Sequence, residues 1–179
     1  MAGLNEALFW AVNGAHSDFA DYIMFALTST GYTVPAFIIA MVACRFYGGL
    51  SKRTVVVLMV ALALGGGVVH GLKHLFPEDR PLAYFAKKTP PPHAKVHAPF
   101  ERHKTGSFPS GHTQTAFSVA MFLVLLFRRH AVLWFLWACA VGVSRVYLGV
   151  HFPVDALVGA LVGTTATYLV FSLSKTSKE

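Results

Sequence analysis

The sequence predicts an all-α polytopic membrane protein, a compact bundle of five to six transmembrane helices with an N-terminal interfacial helix. Of its 179 residues, 55% are hydrophobic and 13% are charged, roughly half the charged fraction of soluble domains. Several apolar runs approach or reach the length of about 17 to 25 residues that crosses a bilayer as a helix. The basic residues stand in clusters between those runs. This length suits one membrane-embedded domain over residues 1–179.

Residues 1–30 precede the first long apolar run. The segment from Leu4 to Asp21 mixes large apolar residues with Asn13, His16 and Asp18, which makes it too polar for the centre of a bilayer. We therefore expect an amphipathic helix that lies at the membrane interface, or a short first helix if the region crosses. We expect no cleavable signal peptide, because no basic residue precedes Arg45.

Four later runs have lengths suited to spanning a bilayer: Thr54 to Leu72, Gly111 to Phe127, Ala131 to Leu148 and Val154 to Leu173. A fifth, from about Tyr32 to Phe46, is short unless it borrows from Tyr22 to Thr30. The last run contains a G-x-x-x-G motif at Gly159 and Gly163. This motif favours close packing inside the bundle over a dimer face, because its helix has neighbours in the same chain.

One long hydrophilic segment, residues 76–109, interrupts the apolar runs and holds seven of the nine prolines. Loops of this length in compact proteins are usually functional or disordered, and we place this one on the outer face. It carries five cations that could attract an anionic headgroup: Lys87, Lys88, Lys95, Arg102 and Lys104. A solvated loop that contacts anionic lipid is an equally good interpretation.

The distribution of positive charge predicts the topology. Alternating the spans puts seven cations on one face, which the positive-inside rule makes cytoplasmic: Arg45, Lys52, Arg53, Arg128, Arg129, Lys175 and Lys178. The opposite face carries the five loop cations together with Lys73, Arg80 and Arg145. This excess on the outer face indicates an anionic substrate. The net charge of +7 does not predict nucleic-acid binding, because the cations are not gathered on a solvated face or arm.

The cysteines and the remaining histidines match no metal-binding pattern. Cys44 and Cys139 lie in apolar runs without a CxxC pattern, and we predict that both are small core residues. His70 and His74 flank Lys73 on one helix, where we predict structural roles. The loop histidines have no recognisable ligand spacing: His93, His97 and His103. We therefore predict no metal ion and no cofactor.

Three separated motifs fall at span ends on the outer face. They are K-x6-RP at Lys73 to Pro81, PSGH at Pro109 to His112, and SR-x5-H-x3-D at Ser144 to Asp155. A lone cation at a helix end usually extends to the headgroups. Here three cations lie together with two histidines and a carboxylate on one side of the membrane. This combination favours a phosphate site instead.

Phosphate binding would explain the basic residues and the Ser110-Gly111 pair in these motifs. Arg80 and Arg145 supply planar forks suited to bidentate phosphate contact, and Lys73 adds a point charge. Ser110 is placed to cap a helix, and Gly111 lets the backbone approach an anion at the helix start. Without its surroundings, the Ser110-Gly111 pair would be better explained as a plain helix start.

His151, His112 and Asp155 could supply the reaction itself. Pro153 suits the first turn of the last span, so Asp155 falls close enough to His151 to accept an N–H and set its tautomer. His151 could then attack phosphorus, and His112 could protonate the leaving oxygen and later activate water. Either histidine taken alone would be better explained as a structural residue in a polar pocket.

Together these motifs closely resemble those of the type 2 phosphatidic-acid phosphatase superfamily of integral-membrane lipid phosphatases. All three stand intact and in order. The resemblance implies a metal-independent phosphatase with a six-helix core, in which His151 forms a phosphohistidine, Asp155 orients it and His112 is the general acid. It implies a phosphate cradle of Lys73, Arg80, Ser110, Gly111 and Arg145. The soluble vanadium haloperoxidases share the pattern, but the apolar spans disfavour that branch.

The expected function is removal of phosphate from a membrane lipid phosphate or diphosphate at the periplasmic or extracellular face of the plasma membrane, with a cytoplasmic C-terminus. The resemblance implies undecaprenyl diphosphate, phosphatidylglycerol phosphate, phosphatidate or lipid A as substrate, and the sequence does not choose among them. Two alternatives stay open, a lipid phosphotransferase and a non-catalytic protein that binds or transports lipid phosphates. Binding alone would need the cations but not His112, His151 and Asp155. The sequence does not predict the oligomeric state.

Overall fold

The computed structural model describes residues 2–90 and 94–176. Within those ranges all the regular secondary structure is helical, apart from one isolated bridge between Asp79 and Thr105. The helices are α1 (Ala2–Asn13), α2 (Asp18–Ser29), α3 (Thr33–Phe46), α4 (Lys52–Leu75), α5 (Pro81–Ala86), α6 (Gly111–Phe127), α7 (Ala131–Tyr147) and α8 (Pro153–Thr176). The predicted all-α class is confirmed. Two residues named above, His93 and Lys178, lie outside the described residues.

Two helices are long and apolar enough to cross a membrane individually. The best windows of α4 and α8 have mean hydropathies of 2.3 and 1.7. α2 and α3 are long and apolar enough to cross a membrane only when they are taken together as one segment, and that segment is bent by 72°. α6 and α7 are apolar helices of 17 residues each, at the lower end of the length that spans a bilayer. The chain is an integral membrane protein, and the total of five or six spans stays a prediction.

The helix bounds follow the predicted spans closely. α6 coincides with the predicted run, and α7 ends at Tyr147, one residue before the predicted end. α4 extends beyond the predicted run at both ends. At its start the Ser51 hydroxyl accepts the Thr54 N–H at 3.1 Å as an N-cap. Hydropathy locates the apolar middle of a span, whereas caps and polar flanking residues set its ends.

α6 is the central helix of the bundle and packs against α3, α4, α7 and α8. Its side chains Val119, Phe122 and Leu123 are fully buried. On the outward face of α4, large apolar side chains such as Val56 and Met59 remain more than half exposed. An apolar exterior around a buried apolar core is the arrangement that a bundle surrounded by lipid requires.

The N-terminal region differs from the prediction of a single helix over Leu4 to Asp21. The chain forms two helices there, because α1 ends at Asn13 and α2 begins at Asp18. Ser17 sets the new start, since its hydroxyl accepts the Ala20 N–H as an N-cap. The prediction of one continuous helix was therefore wrong, and the missed signal was this capping serine.

α1 lies across the end of α7 and the beginning of α8. Near its start, the Asn5 side chain accepts the Val154 N–H at 3.1 Å. At its end, the buried Asn13 side chain donates to the Tyr147 carbonyl at 2.7 Å. Both partners lie at the end of the bundle that holds the predicted site. An interfacial position for α1 stays a prediction, and these contacts are compatible with it.

The segment of residues 76–109 contains one short helix, α5, that the sequence analysis missed. α5 begins at Pro81, and proline suits the first helical position because its ring fixes φ and it lacks an N–H. Phe85 of α5 packs against Phe9 and Phe152, with ring centroids 5.4 and 5.9 Å away. This helix start was not predicted, because the composition of the segment is rich in proline. The contact attaches the beginning of the loop to α1 and to the segment before α8.

The two cysteines have different environments. Cys44 is fully buried, as predicted, but Cys139 is exposed on α7. The prediction of a core position for Cys139 was therefore wrong. The lipid-facing side of a membrane helix is as apolar as the side that faces the bundle, so an apolar run does not distinguish the two sides.

The G-x-x-x-G motif packs inside the bundle, as predicted. A Cβ added at Gly159 would lie 2.4 Å from the Ser110 carbonyl oxygen, and one added at Gly163 would lie 2.2 Å from the Gln114 carbonyl oxygen. Only glycine allows α8 to approach the backbone of α6 so closely. This packing holds the beginning of α8 against the PSGH motif.

We expect Gly163→Ala to lower the free energy of unfolding by about 1 to 3 kcal/mol, the usual effect of overpacking. The added methyl group would meet backbone, which cannot rotate away as a side chain can. Gly66→Ala on α4 is the matched control, because no atom lies within 4 Å of its added Cβ. Thermal unfolding in detergent micelles measures the difference. Equal unfolding midpoints for the two variants would contradict the prediction.

Candidate active site

The three predicted motifs meet at one end of the bundle. The K-x6-RP motif joins the end of α4 to α5, PSGH begins α6, and SR-x5-H-x3-D joins the end of α7 to α8. The charges of Arg80 and Arg145 act on His112, and that of Asp155 acts on Lys73. The fold thus brings all the predicted site residues together: Lys73, Arg80, Ser110, Gly111, His112, Arg145, His151 and Asp155.

His151 and Asp155 are buried side by side. Their side chains are 2% and 4% exposed, and Nδ1 of His151 lies 3.4 Å from Oδ2 of Asp155. The two atoms are close but not aligned for a hydrogen bond, and Nδ1 has no hydrogen-bond partner. Two other donors hold Oδ2, the Ser107 hydroxyl at 2.5 Å and the Phe152 N–H at 2.8 Å. The carboxylate is therefore fixed on the Nδ1 side of the imidazole ring.

Burial lowers the pKa of His151 to about 4, and the charge of Arg80 contributes to the decrease while Asp155 opposes it. The imidazole is therefore neutral at pH 7 and keeps a lone pair for chemistry. Burial also lowers the pKa of Arg80, with a contribution from the charge of Arg145. A guanidinium remains protonated in proteins despite such a decrease.

The PSGH motif forms the start of α6, and the predicted N-cap is confirmed. The buried Ser110 hydroxyl accepts the Thr113 N–H at 3.4 Å, and the Ser110 N–H donates to the Asp155 carbonyl at 2.9 Å. The first amides of a helix have no partner within it, so those of Gly111 and His112 are available to an anion. The ring of His112 packs edge-on against Tyr32, with centroids 4.3 Å apart.

Carbonyl groups at the end of the long loop hold Lys73 and Arg80. Nε of Arg80 donates to the Thr105 carbonyl at 3.1 Å. Nζ of Lys73 donates to the Gly106 carbonyl and lies 3.5 Å from that of Ser107. Because Ser107 also holds Asp155, this short stretch of loop positions three of the predicted site residues.

Arg145 is almost completely buried and forms an ion pair with Glu101 from the loop. Nη1 and Nη2 donate to Oε1 and Oε2 of Glu101, both at 2.9 Å, and Nη1 also donates to the Thr28 hydroxyl at 2.9 Å. Burial acts to raise the pKa of the Glu101 carboxyl, but the hydrogen bonds and charge of Arg145 prevail and lower it to about 2. Glu101 is therefore ionised at pH 7.

Four buried nitrogen atoms in this cluster have no hydrogen-bond partner: Nη1 of Arg80, Nε2 of His112, Nε of Arg145 and Nδ1 of His151. Elsewhere in the part of the chain that the structure describes, only Oγ1 of Thr167 shares this state. Buried polar groups are almost always paired, so this concentration indicates a ligand site. The two arginine nitrogens are cationic donors, which favour an oxyanion such as phosphate.

A family model described as the PAP2 superfamily matches residues 54–179, which include all three motifs. The chain belongs to the PAP2 superfamily. The predicted resemblance is confirmed, and this PAP2 chain is similar to proteins from several bacteria. It is 27% identical to a lipid A 4'-phosphatase of Bacteroides thetaiotaomicron, over 97% of this chain and 78% of that protein. It is 28% identical to undecaprenyl-diphosphatase BcrC of Bacillus subtilis, over 96% of this chain and 84% of the relative.

A solved structure extends the comparison to the fold. LpxE from Aquifex aeolicus superposes on the PAP2 chain with a TM-score of 0.79 at 30% identity, over 94% of this chain and 95% of LpxE. The names of the two sequence relatives agree with the predicted enzyme class, a phosphatase that acts on lipids. The helical architecture is therefore shared with a PAP2 relative over nearly its whole length.

A cavity of about 300 Å³ opens beside the PAP2 motifs. Its walls include Lys73, Gly111 and His112 from the motifs, together with Tyr32 and His70. It lies between the start of α3 and the facing sides of α4 and α6, next to the bend between α2 and α3. The cavity gives His112 an opening at the side of the bundle.

The five loop cations, which we predicted to attract an anionic headgroup, fall into two groups. Lys87 pairs with Asp79 at 2.5 Å and Lys88 pairs with Glu6, so both charges have local partners. The remaining three are exposed: Lys95, Arg102 and Lys104. Headgroup capture stays a prediction, and the exposed three are its best candidates.

Four of the other histidines form pairwise contacts. Nε2 of His70 and Nε2 of His74 are 3.1 Å apart. His97 donates from Nε2 to the Asp21 carboxylate at 2.8 Å and stacks on His16 at 4.0 Å. Within residues 2–90 and 94–176, no three His, Cys, Asp or Glu side chains group as metal ligands would. The structural roles predicted for His70 and His74 stay predictions.

Sequence reasoning missed four residues that contact the PAP2 motifs: Thr28, Tyr32, Glu101 and Ser107. Thr28 and Tyr32 lie far from the motifs in sequence, and no spacing links them to Arg145 or His112. Glu101 had a usable signal, because it is the only carboxylate between Arg80 and His112 in a loop rich in cations. An isolated acid between two phosphate-binding motifs is a candidate partner for one of their arginines.

Proposed function

We propose that this PAP2 protein hydrolyses a membrane lipid phosphate or diphosphate through a phosphohistidine intermediate at the outer face of the plasma membrane. The observation that carries the proposal is the cluster of unpartnered buried nitrogens on Arg80, His112 and Arg145 beside the buried His151. Phosphoryl transfer spreads negative charge over three equatorial oxygens, so catalysis depends mainly on positioned donors and cations. The cluster supplies both, next to a neutral histidine.

His151 is the proposed nucleophile. Asp155 lies on the Nδ1 side of the ring, which leaves Nε2 as the attacking atom. Nε2 forms a bond to phosphorus while the bond between phosphorus and the lipid oxygen breaks. The phosphorylated ring gains positive charge, which the fixed carboxylate of Asp155 stabilises. Asp155 therefore both orients the nucleophile and stabilises the intermediate.

His112 is the proposed general acid and then the general base. Its unpartnered Nε2 gives a proton to the departing lipid oxygen, and the negative charge of the bound phosphate favours the protonated ring that this step requires. In the second step the neutral ring takes a proton from water, whose oxygen attacks phosphorus. The N–P bond breaks, its electron pair returns to His151, and inorganic phosphate is released.

The phosphoryl group is proposed to bind among the cations and the start of α6. Arg80 and Arg145 offer buried N–H groups without partners, and Lys73 adds a positive charge. Ser110 and Gly111 provide a hydroxyl and the first amides of a helix, which bind anions. No step requires a metal ion or a cofactor.

The surroundings of the site support a lipid substrate and an outward-facing site. The cavity beside His112 lies at one end of an apolar bundle, where the headgroup of a membrane lipid would be. The opposite end carries basic residues that the positive-inside rule places in the cytoplasm: Arg45, Lys52, Arg53, Arg128, Arg129 and Lys175. The site therefore faces outward and the C-terminus inward. The names of the relatives make undecaprenyl diphosphate and lipid A the first substrates to test.

Phosphate release by the purified protein in detergent micelles tests the proposal. The substrates are undecaprenyl diphosphate, lipid A, phosphatidylglycerol phosphate and phosphatidate, each with and without EDTA. We expect release from at least one lipid and no effect of EDTA. Absence of release from all four would contradict the proposed function, and loss of release with EDTA would contradict metal independence. Turnover that requires an added alcohol acceptor would indicate a phosphotransferase.

A further inference from the structure

We infer that Glu101 is a positioning residue that holds Arg145 so that the Nε edge of its guanidinium faces the phosphoryl group. The inference rests on the proposed function of the site. It goes further by giving the loop of residues 76–109 a defined part in phosphate binding. The direction of the free edge depends on which of the five N–H groups of Arg145 already have acceptors.

Three of the five N–H donors of this guanidinium have acceptors. Nη1 donates to Glu101 and to Thr28, and Nη2 donates once to Glu101. The donors that remain are the buried Nε–H, which has no partner, and the second N–H of Nη2. These two N–H groups are parallel on one edge of the planar group. Such an edge can donate to two oxygens of one phosphate.

Glu101 therefore does not block the phosphate-binding edge. It binds the end of the guanidinium, at Nη1 and Nη2, whereas the free edge runs from Nε to Nη2. A phosphate can bind Arg145 while Glu101 stays in place. The same contact fixes the plane of the guanidinium and hence the direction of the free N–H groups.

Arg145 needs such a partner because of its surroundings. It is 1% exposed, and its charge acts on two neighbouring cations, Lys73 and Arg80. A buried charge that loses its partner is strongly destabilised, so an unpaired Arg145 would turn toward other acceptors. The pKa of Glu101, about 2, keeps the compensating charge present throughout the neutral range.

The loop is anchored on both sides of Glu101. Before it, the His97 N–H donates to the Asn13 side chain at 3.0 Å, and the His97 ring donates to Asp21 at 2.8 Å. After it, the Ser107 hydroxyl donates to Asp155 at 2.5 Å. These contacts tie the loop to α1, α2 and α8. The long hydrophilic segment thus serves to carry a carboxylate to the end of α7.

The alternative role for this ion pair is competition, in which Glu101 occupies N–H groups of Arg145 that the substrate needs. The two roles predict opposite changes in phosphate affinity. Removal of a positioning carboxylate weakens phosphate binding, because the free edge loses its direction. Removal of a competing carboxylate strengthens it. The unpartnered Nε–H favours positioning, since the edge that binds phosphate is already free.

The test measures the Kd of inorganic phosphate and orthovanadate by calorimetry, and kcat and KM for the lipid substrate, in the full chain in detergent micelles. For Glu101→Ala we expect phosphate binding and kcat/KM to fall by about 10- to 100-fold, by analogy with the loss when a residue that orients a metal ligand is removed. Glu101→Gln retains one acceptor, so its phosphate affinity and its kcat/KM should lie between those of Glu101→Ala and those of the wild type. Glu101→Asp should restore part of the loss.

Glu78→Gln is the matched control, because it makes the same change of charge at an exposed position of the same loop. Phosphate binding by Glu101→Gln equal to that of the control would overturn the inference, and tighter binding would establish competition instead. If Glu101→Ala does not fold, the isosteric Glu101→Gln carries the test, provided that its unfolding midpoint matches the control. Phosphate binding needs no turnover. Weaker binding in Glu101→Gln, with no lipid hydrolysis by the wild type, would support the positioning role and refute the proposed function.

Discussion

His151→Ala is expected to lower kcat for lipid phosphate hydrolysis by about a thousandfold or more, the scale of loss when a covalent nucleophile is removed. His151 is buried beside Asp155 and has a neutral ring at pH 7, so its removal eliminates the attacking atom. Phosphate release measures the loss. The wild type should also acquire an acid-labile, base-stable phosphate label when quenched during turnover, and the variant should acquire none.

His70→Ala provides the control for this experiment. His70 lies at the same end of the bundle and lines the cavity beside His112, but it contacts His74 rather than a motif residue. Its replacement should leave kcat within about threefold of the wild type, as expected for an exposed side chain outside the proposed chemistry. A label that persists in His151→Ala would identify another nucleophile.

The pH dependence of kcat/KM should reflect the protonation of the same ring. Burial lowers the pKa of His151 to about 4, and only the neutral form can attack phosphorus. Activity should therefore persist as the pH falls from 7 to 5, and then decrease about tenfold per pH unit below 4. Measurements with phosphate esters whose own pKa values differ distinguish this acidic decrease in kcat/KM from ionisation of the substrate. An acidic limb near pH 6.5 that does not move with the ester would contradict a buried, neutral His151.

His112→Ala is expected to lower kcat by about 100- to 10,000-fold on a lipid substrate, the range for loss of a general acid or base. The loss in the first step should be much smaller with p-nitrophenyl phosphate, because nitrophenolate leaves without a proton. The variant should therefore release one burst of nitrophenol and then stall, since His112 also activates water. Stopped-flow absorbance measures the burst. Equal losses in the first step for both substrates would show that His112 does not protonate the leaving group.

The membrane class and the main spans could be predicted from the sequence because both depend on local composition. The predicted run from Gly111 to Phe127 is α6 itself, since nearly all of its side chains from Ala116 to Phe127 are apolar. The predicted single helix over Leu4 to Asp21 was wrong because one hydroxyl, that of Ser17, restarts the helix. Caps of this kind act through single hydrogen bonds, which average hydropathy does not detect.

The candidate site was predictable to the extent that its residues belong to spaced motifs. Each motif sits where one helix ends or begins, so the chain itself places His151 next to Asp155 and Ser110 next to His112. Glu101 follows no such spacing. It reaches Arg145 only because His97 and Ser107 anchor the loop to α1, α2 and α8.

By itself, the sequence determined the all-α membrane fold, the PAP2 family and the end of the bundle at which its three motifs meet. Apolar run lengths and motif spacings are properties of contiguous chain, so they are visible without coordinates. Only the tertiary structure decided that Glu101 pairs with Arg145, that Ser107 holds Asp155 and that Cys139 faces outward. These facts depend on contacts between distant segments and on the side of a helix that faces its neighbours, and local composition specifies neither.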